Sequence, residues 1–177
     1  SVYGSLEVLQ QSLAKIPEGV FSGDAEYQNR LRRMLRVYQT ILITGTRTHH
    51  YEAVAESIRS AVGLLEFFPF TDRLIVQMLF SNMVTALRSW AALSAEEAKI
   101  QRNDRLSRRL TAVVRLTSSI WHFLRVPKLE AMVTIPRSTK TQDQGLRTAA
   151  DHGQWFRDNF PQVLEVFMTS LFETLET

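Results

Sequence analysis

An all-α fold, a single irregular bundle of six or seven helices, follows from three features of this chain of 177 residues. Glycine and proline cost a helix interior about 1 and 3 kcal/mol relative to alanine. Between Gly45 and Pro136 they occur only as Gly63, Pro69 and Pro127. The segments between these breakers carry apolar residues at spacings of three and four, the period of an amphipathic helix. Strand-like alternation is confined to Met132, Val133 and Ile135. One domain is expected over residues 1–177, a length that buries roughly 70% of the surface its unfolded chain exposes.

The elements follow in order. Leu6, Leu9, Leu13 and Ile16 predict a first helix from about Val2 to Ile16, ended by Pro17, Gly19 and Gly23. Asp24 is placed to accept hydrogen bonds from the free amides of the next turn. From there Tyr27, Leu31, Met34, Leu35, Tyr38 and Leu42 form one stripe, and Gly45 is expected to end the helix. A polar joint, Thr46 to His50, precedes the stripe Tyr51, Val54, Ile58, Val62 and Leu65, which runs to Phe68. Pro69 pushes Phe68 out of helical geometry. Thr71 is then expected to cap a helix that is apolar on more than one face, from Leu74 to Trp90, and so central.

Ser94 and Glu97 spell a capping box, serine followed three residues later by glutamate, and predict a new helix start there. That helix carries Leu106, Leu110, Val113, Thr117, Ile120 and Leu124 and stops at Pro127. Residues 127–145 are expected to form one long polar loop, a class of segment usually functional in compact domains. A short helix near Leu146 to Asn159 and a final one opened by Pro161 complete the chain. The last carries Val163, Leu164, Phe167, Met168, Leu171, Phe172 and Leu175.

Charge is unevenly spread behind a formal total of +3. Residues 99–147 hold eleven Lys or Arg against Asp104, Glu130 and Asp143, while residues 148–177 hold Arg157 against five acids. Such a layout speaks about partners rather than fold. No cysteine is present, which removes disulfides and thiolate metal sites and fits a reducing compartment. The opening Ser1 to Gly4 lacks the basic and apolar regions of a signal peptide, so an intracellular location is expected. The longest charge-free run, Leu74 to Leu87, falls short of the ~20 apolar residues of a membrane span.

Catalytic chemistry finds no foothold, and the expectation is a protein that is not an enzyme and takes no cofactor. Neither a Walker-type GKS/T nor a GxGxxG occurs. His49 and His50 are adjacent, so on a helix their side chains diverge by about 100° and chelate poorly together. A triad of Asp151, His152 and Ser118 or Ser170 can be assembled on paper, as in nearly any chain. Phe67, Phe68, Phe70 and Phe80 could line a site for a small apolar ligand, although tight core packing is the ordinary use of such residues.

Binding residues are easier to nominate. Arg32, Arg33 and Arg36 project opposite the stripe of their helix, and Arg108 and Arg115 opposite the arc of theirs, with Arg105 beside it. Lys128, Arg137 and Lys140 add charge in the expected loop. These nine form the candidate surface for an acidic protein partner or for phosphates, whose neutralisation gives salt-dependent affinity; simple solvation is the bland alternative. Phe167, Leu171, Phe172 and Leu175 form a candidate apolar interface, since contiguous apolar patches seldom persist without use. The leading expectation is a scaffold or assembly domain that binds protein or itself. The second is a helical protein bound to RNA or a nucleoprotein through phosphate contacts. The two arginine faces can merge into one continuous patch or be separated and paired with acids; merging raises the second reading above the first.

Overall fold

The computed structural model describes residues 25–100, 104–134 and 144–176, all helices and short joints. Six helices are present among them: α1 (Ala25–Arg47), α2 (Tyr51–Phe67), α3 (Arg73–Ile100), α4 (Asp104–Arg125), α5 (Pro127–Val133) and α6 (Gln144–Glu176). The expected helix over residues 2–16, the Asp24 cap, and Arg137 and Lys140 fall outside the described residues.

Helices α1, α2, α4 and α3, in that spatial order, form a ring of four. α1 packs on α2 and α3, and α4 packs on the same two, so α1 and α4 occupy opposite corners. Helix α6 lies across α3 and α4, and the short α5 wedges between all three. α2 and α4 run parallel, for Tyr51 meets Arg109 near one end and Glu66 meets His122 near the other. α3 and α4 run antiparallel, joined by Glu97 with Arg109 and by Phe80 with Phe123.

The predicted stripes of α1, α2 and α4 are core, whereas the run expected to make α3 apolar on more than one face leaves Leu74 and Met78 exposed at its start. Tyr27, Leu31, Met34, Leu35, Tyr38 and Leu42 of α1 are all buried, as are Leu106, Leu110, Val113, Thr117, Ile120 and Leu124 of α4. α6 closes the other side with Ala149, Phe156 and Phe160, and Trp121 meets the Phe156 ring edge-on at 4.9 Å.

Several boundaries differ from the sequence expectation, each for a tertiary reason. α1 runs past Gly45 to Arg47, and the glycine serves packing: a Cβ there would sit 2.1 Å from Val54 Cγ2, so the two helices touch backbone to side chain. The stop lies further on. His50 N donates to Gly45 O (2.9 Å) and His49 N to Thr46 O (3.4 Å), the Schellman pattern, with His49 in the left-handed region at φ 63° where glycine is usual.

Thr71 does not cap α3. Its amide and hydroxyl both donate to Gln28 Oε1 at 3.1 Å, while Gln28 Nε2 donates to Pro69 O at 3.3 Å. One buried glutamine thus ties α1 to the joint between α2 and α3. Gln28→Ala removes these three bonds, whose partners Thr71 and Pro69 are exposed, and is expected to cost about 0.5–1.5 kcal/mol, readable as a lowered urea midpoint without a change of slope.

Ser94 does not open a helix either. α3 continues through it to Ile100, Ser94 is fully buried, and the Glu97 carboxylate turns to Arg109. The expected loop at 127–145 begins as α5, with Pro127 in its first turn, where the missing amide costs nothing. Lys128 therefore lies on a helix. The two last helices are one, since α6 continues through Pro161.

His152, half-buried on α6, has its pKa lowered, first by burial, then by the Arg88 guanidinium, with Asp151 opposing. The native state therefore holds this imidazole neutral to a lower pH than the unfolded chain does. Stability from this source is level above the ordinary histidine value near 6.5 and falls as pH drops below it. Denaturation midpoints across pH 5–8 are expected to show that fall, and His152→Gln to flatten it.

Candidate functional site

The basic residues sort first by helix. On α1, Arg32 is half-buried and committed, with Nε donating to Asp72 Oδ2 at 2.8 Å and Nη1 to Asn29 Oδ1. Arg33 and Arg36 are exposed, and Arg33 Nε reaches the Asn29 carbonyl at 3.4 Å. On α4 the apolar arc fixes what the other side presents, because positions 7, 10, 14 and 17 residues on from a helical residue share its face. Arg108, Arg115, Ser118, His122 and Arg125 are all exposed. Counted at 1.5 Å per residue, this ridge is about 26 Å long. Among the described residues, Arg108, Arg115 and Arg125 have no carboxylate partner.

The two arginine faces do not merge, since α1 and α4 stand at opposite corners of the ring. Arg105 belongs to the first turn of α4, but its side chain lies outside the described residues; so do those of Phe167, Leu171, Phe172 and Leu175 on α6.

Beside the α4 ridge lies an open groove of about 630 Å³. Its α2 wall holds Ala55, Glu56, Arg59, Val62, Gly63, Glu66 and Phe67; its α4 wall holds Arg115, Ser118, Ser119 and His122. The carboxylates are occupied. Glu66 Oε2 sits 2.6 Å from His122 Nε2 across the groove, Glu56 Oε1 is 3.7 Å from Arg59 Nη1, and Lys128 Nζ donates to the Glu66 carbonyl. Arg115 and the Ser118 hydroxyl are left with unused donors. Phe67 stands 78% exposed at one end.

Gly63 forms part of the groove wall with no internal reason to be glycine, for a Cβ placed there meets nothing within 4 Å. Gly63→Ala should therefore gain the helix propensity of about 1 kcal/mol that glycine forfeits. What the glycine provides is space on the outside.

Behind this wall, near the start of α4, is a polar cluster that the sequence reading passed over. Arg109 is 2% exposed, its guanidinium 5.4 Å from the centre of the Tyr51 ring and paired with Glu97. Tyr51 in turn packs edge-on against Trp90 at 5.1 Å, and its hydroxyl lies 2.8 Å from His49 Nδ1. The strained His49 turn and the buried guanidinium are thus joined through one aromatic side chain. A signal for Arg109 existed: it falls three residues after Leu106 and four before Val113, within the apolar arc.

The four phenylalanines do not converge on a ligand site. Phe67 faces solvent while Phe80 is fully buried, stacked on Phe123 at 4.8 Å. Among the described residues no three metal-ligating side chains gather, and no helix is long and apolar enough to cross a membrane. Comparison with known proteins brings no relative: no family model, no curated protein and no solved structure matches the chain.

Proposed function

We propose that the chain is a non-enzymatic helical interaction domain, a scaffold or assembly module that binds another protein through the face shared by α2 and α4. The observation that carries this reading is the open groove beside a ridge of arginines, Arg108, Arg115 and Arg125, that have no carboxylate partner among the described residues. Structural arginine pairs elsewhere are satisfied internally: Arg30 with Glu26, Arg32 with Asp72, Arg157 with Glu130. Arg115 brings unpaired charge to the groove, as the exposed Arg33 and Arg36 do at the α1 corner, and such charge is what a partner of opposite sign completes. Size-exclusion chromatography with light scattering, combined with a partner pull-down, tests it. A strictly monomeric protein that retains nothing contradicts it.

The same ridge supports a second reading, binding of a phosphate backbone through Arg108, Arg115 and Lys128. Two observations weigh against it: the arginines of α1 lie at the opposite corner, and Glu56 and Glu66 stand beside the ridge. Titration with single-stranded RNA at two salt concentrations separates the readings, because phosphate neutralisation makes affinity fall steeply with salt.

A further inference from the structure

Helix α3 has one open side. Helices α1, α4, α5 and α6 all pack on it, yet Leu74 is 53% exposed and Met78, one turn on, is 45% exposed. Positions 7, 11, 15 and 18 residues on from Leu74 share its face. They are Ser81, which is half-buried, and Thr85, Ser89 and Ala92, which are exposed. The row runs for about 27 Å without a charge. Arg88 flanks it, but its guanidinium is turned onto the Trp155 ring of α6 at 4.5 Å. The exposed sides of α1 and α4 carry Arg33, Arg36, Arg108 and Arg115 instead, as a helix face turned to water ordinarily does. An uncharged side that opens with two accessible apolar residues is a surface suited to cover by a further element.

The chain itself supplies a complement. Residues 2–16, outside the described residues, are expected to form a helix with Leu6, Leu9, Leu13 and Ile16 on one side, and Glu7 and Lys15 are the only charges in residues 1–16. A helix of that length spans about 22 Å, close to the length of the open row. The point of attachment decides the direction. The start of α1 lies beside the start of α3, for Thr71 donates to Gln28 Oε1 at 3.1 Å and Arg32 Nε donates to Asp72 Oδ2 at 2.8 Å. Residues 17–24 reach at most about 28 Å, which ties Ile16 to the Leu74 end of the face. We propose that the open side of α3 is the seat of the chain's own residues 2–16, a helix antiparallel to α3 with Leu13 and Ile16 over Leu74 and Met78 and Leu6 toward Thr85.

The chain has no cysteine, so introduced pairs report contacts directly. In the full chain, Leu13→Cys with Met78→Cys is expected to close an intramolecular disulfide under mild oxidation at least tenfold faster than Leu13→Cys with Arg33→Cys, whose second site is exposed on α1. Adding Leu6→Asp and Leu9→Asp leaves the tether unchanged and should remove that advantage. Equal rates for the two pairs overturn the proposal, as does an advantage that survives the aspartates. A disulfide joining two chains overturns it too, and gives the face to a second copy. Amide exchange on the unsubstituted chain is an independent reading, because a helix of this length is marginal alone and slowed exchange reports packing. Residues 6–16 are expected to exchange at least tenfold more slowly than an unstructured chain, and Met78→Asp to release them. Free exchange there, or slowing that Met78→Asp leaves in place, contradicts the proposal.

Discussion

Glu97→Ala is expected to destabilise the domain by about 3–5 kcal/mol, the usual cost of leaving a buried charge without its partner. For a chain of this size that corresponds to a melting temperature lower by roughly 6–20 °C. The physical reason is asymmetric. Arg109 is 2% exposed whereas the Glu97 side chain is 35% exposed, so removing the acid strands a guanidinium that water cannot reach. Removing the base leaves a carboxylate on a side chain that is partly open to water, although its Oε2 is itself buried. Arg109→Met, which keeps most of the side-chain volume against Tyr51, should therefore cost under about 2 kcal/mol or even stabilise. Urea denaturation of both variants checks this, and equal losses would show the asymmetry to be absent.

The second large effect concerns two phenylalanines that look alike in the sequence. Phe80→Ala is expected to cost about 3–5 kcal/mol, because a cavity opens where the surroundings cannot close over it. Phe80 is fully buried, stacked on Phe123 of α4, and lies 3.6 Å from the Cβ that Gly153 of α6 lacks. Its loss loosens α3, α4 and α6 together. Phe67→Ala should change stability by no more than about 0.5 kcal/mol, as surface substitutions do. Calorimetry on the pair reads the contrast directly. A large loss from Phe67→Ala would mean that the groove end is packed rather than open.

The fold was legible because burial repeats at the helical period, and that signal is local. The stripes of α1, α2 and α4 are the core residue for residue. Element ends were less legible where a local pattern met a tertiary demand. Ser94 and Glu97 read as a helix start, yet a serine buried against the bundle and a glutamate claimed by Arg109 make them helix interior. Pro161 suits a helix start by its own geometry, yet α6 continues through it. Gly45 was read as a stop and proved to be a contact point with Val54.

The candidate site was half legible. Periodicity alone put Arg108 and Arg115 on an exposed face and Arg33 and Arg36 on another, but not the corner each helix occupies. That depends on α1 and α4 sharing neighbours without packing on each other. The cross-groove pair of His122 and Glu66 joins residues 56 apart, a separation no spacing rule reaches. Gly63 was visible as the lone glycine of a long helical stretch; its meaning needed the open space beside it.

The central claim, that interaction runs through the α2–α4 groove and not through the arginines of α1, is tested most directly by comparing two variants in one partner pull-down. Arg33→Glu combined with Arg36→Glu reverses the α1 corner; Arg115→Glu combined with Gly63→Trp reverses and fills the groove. The groove variant is predicted to lose at least tenfold in retained partner while the α1 variant keeps it. Loss by the α1 variant with retention by the groove variant would contradict the account.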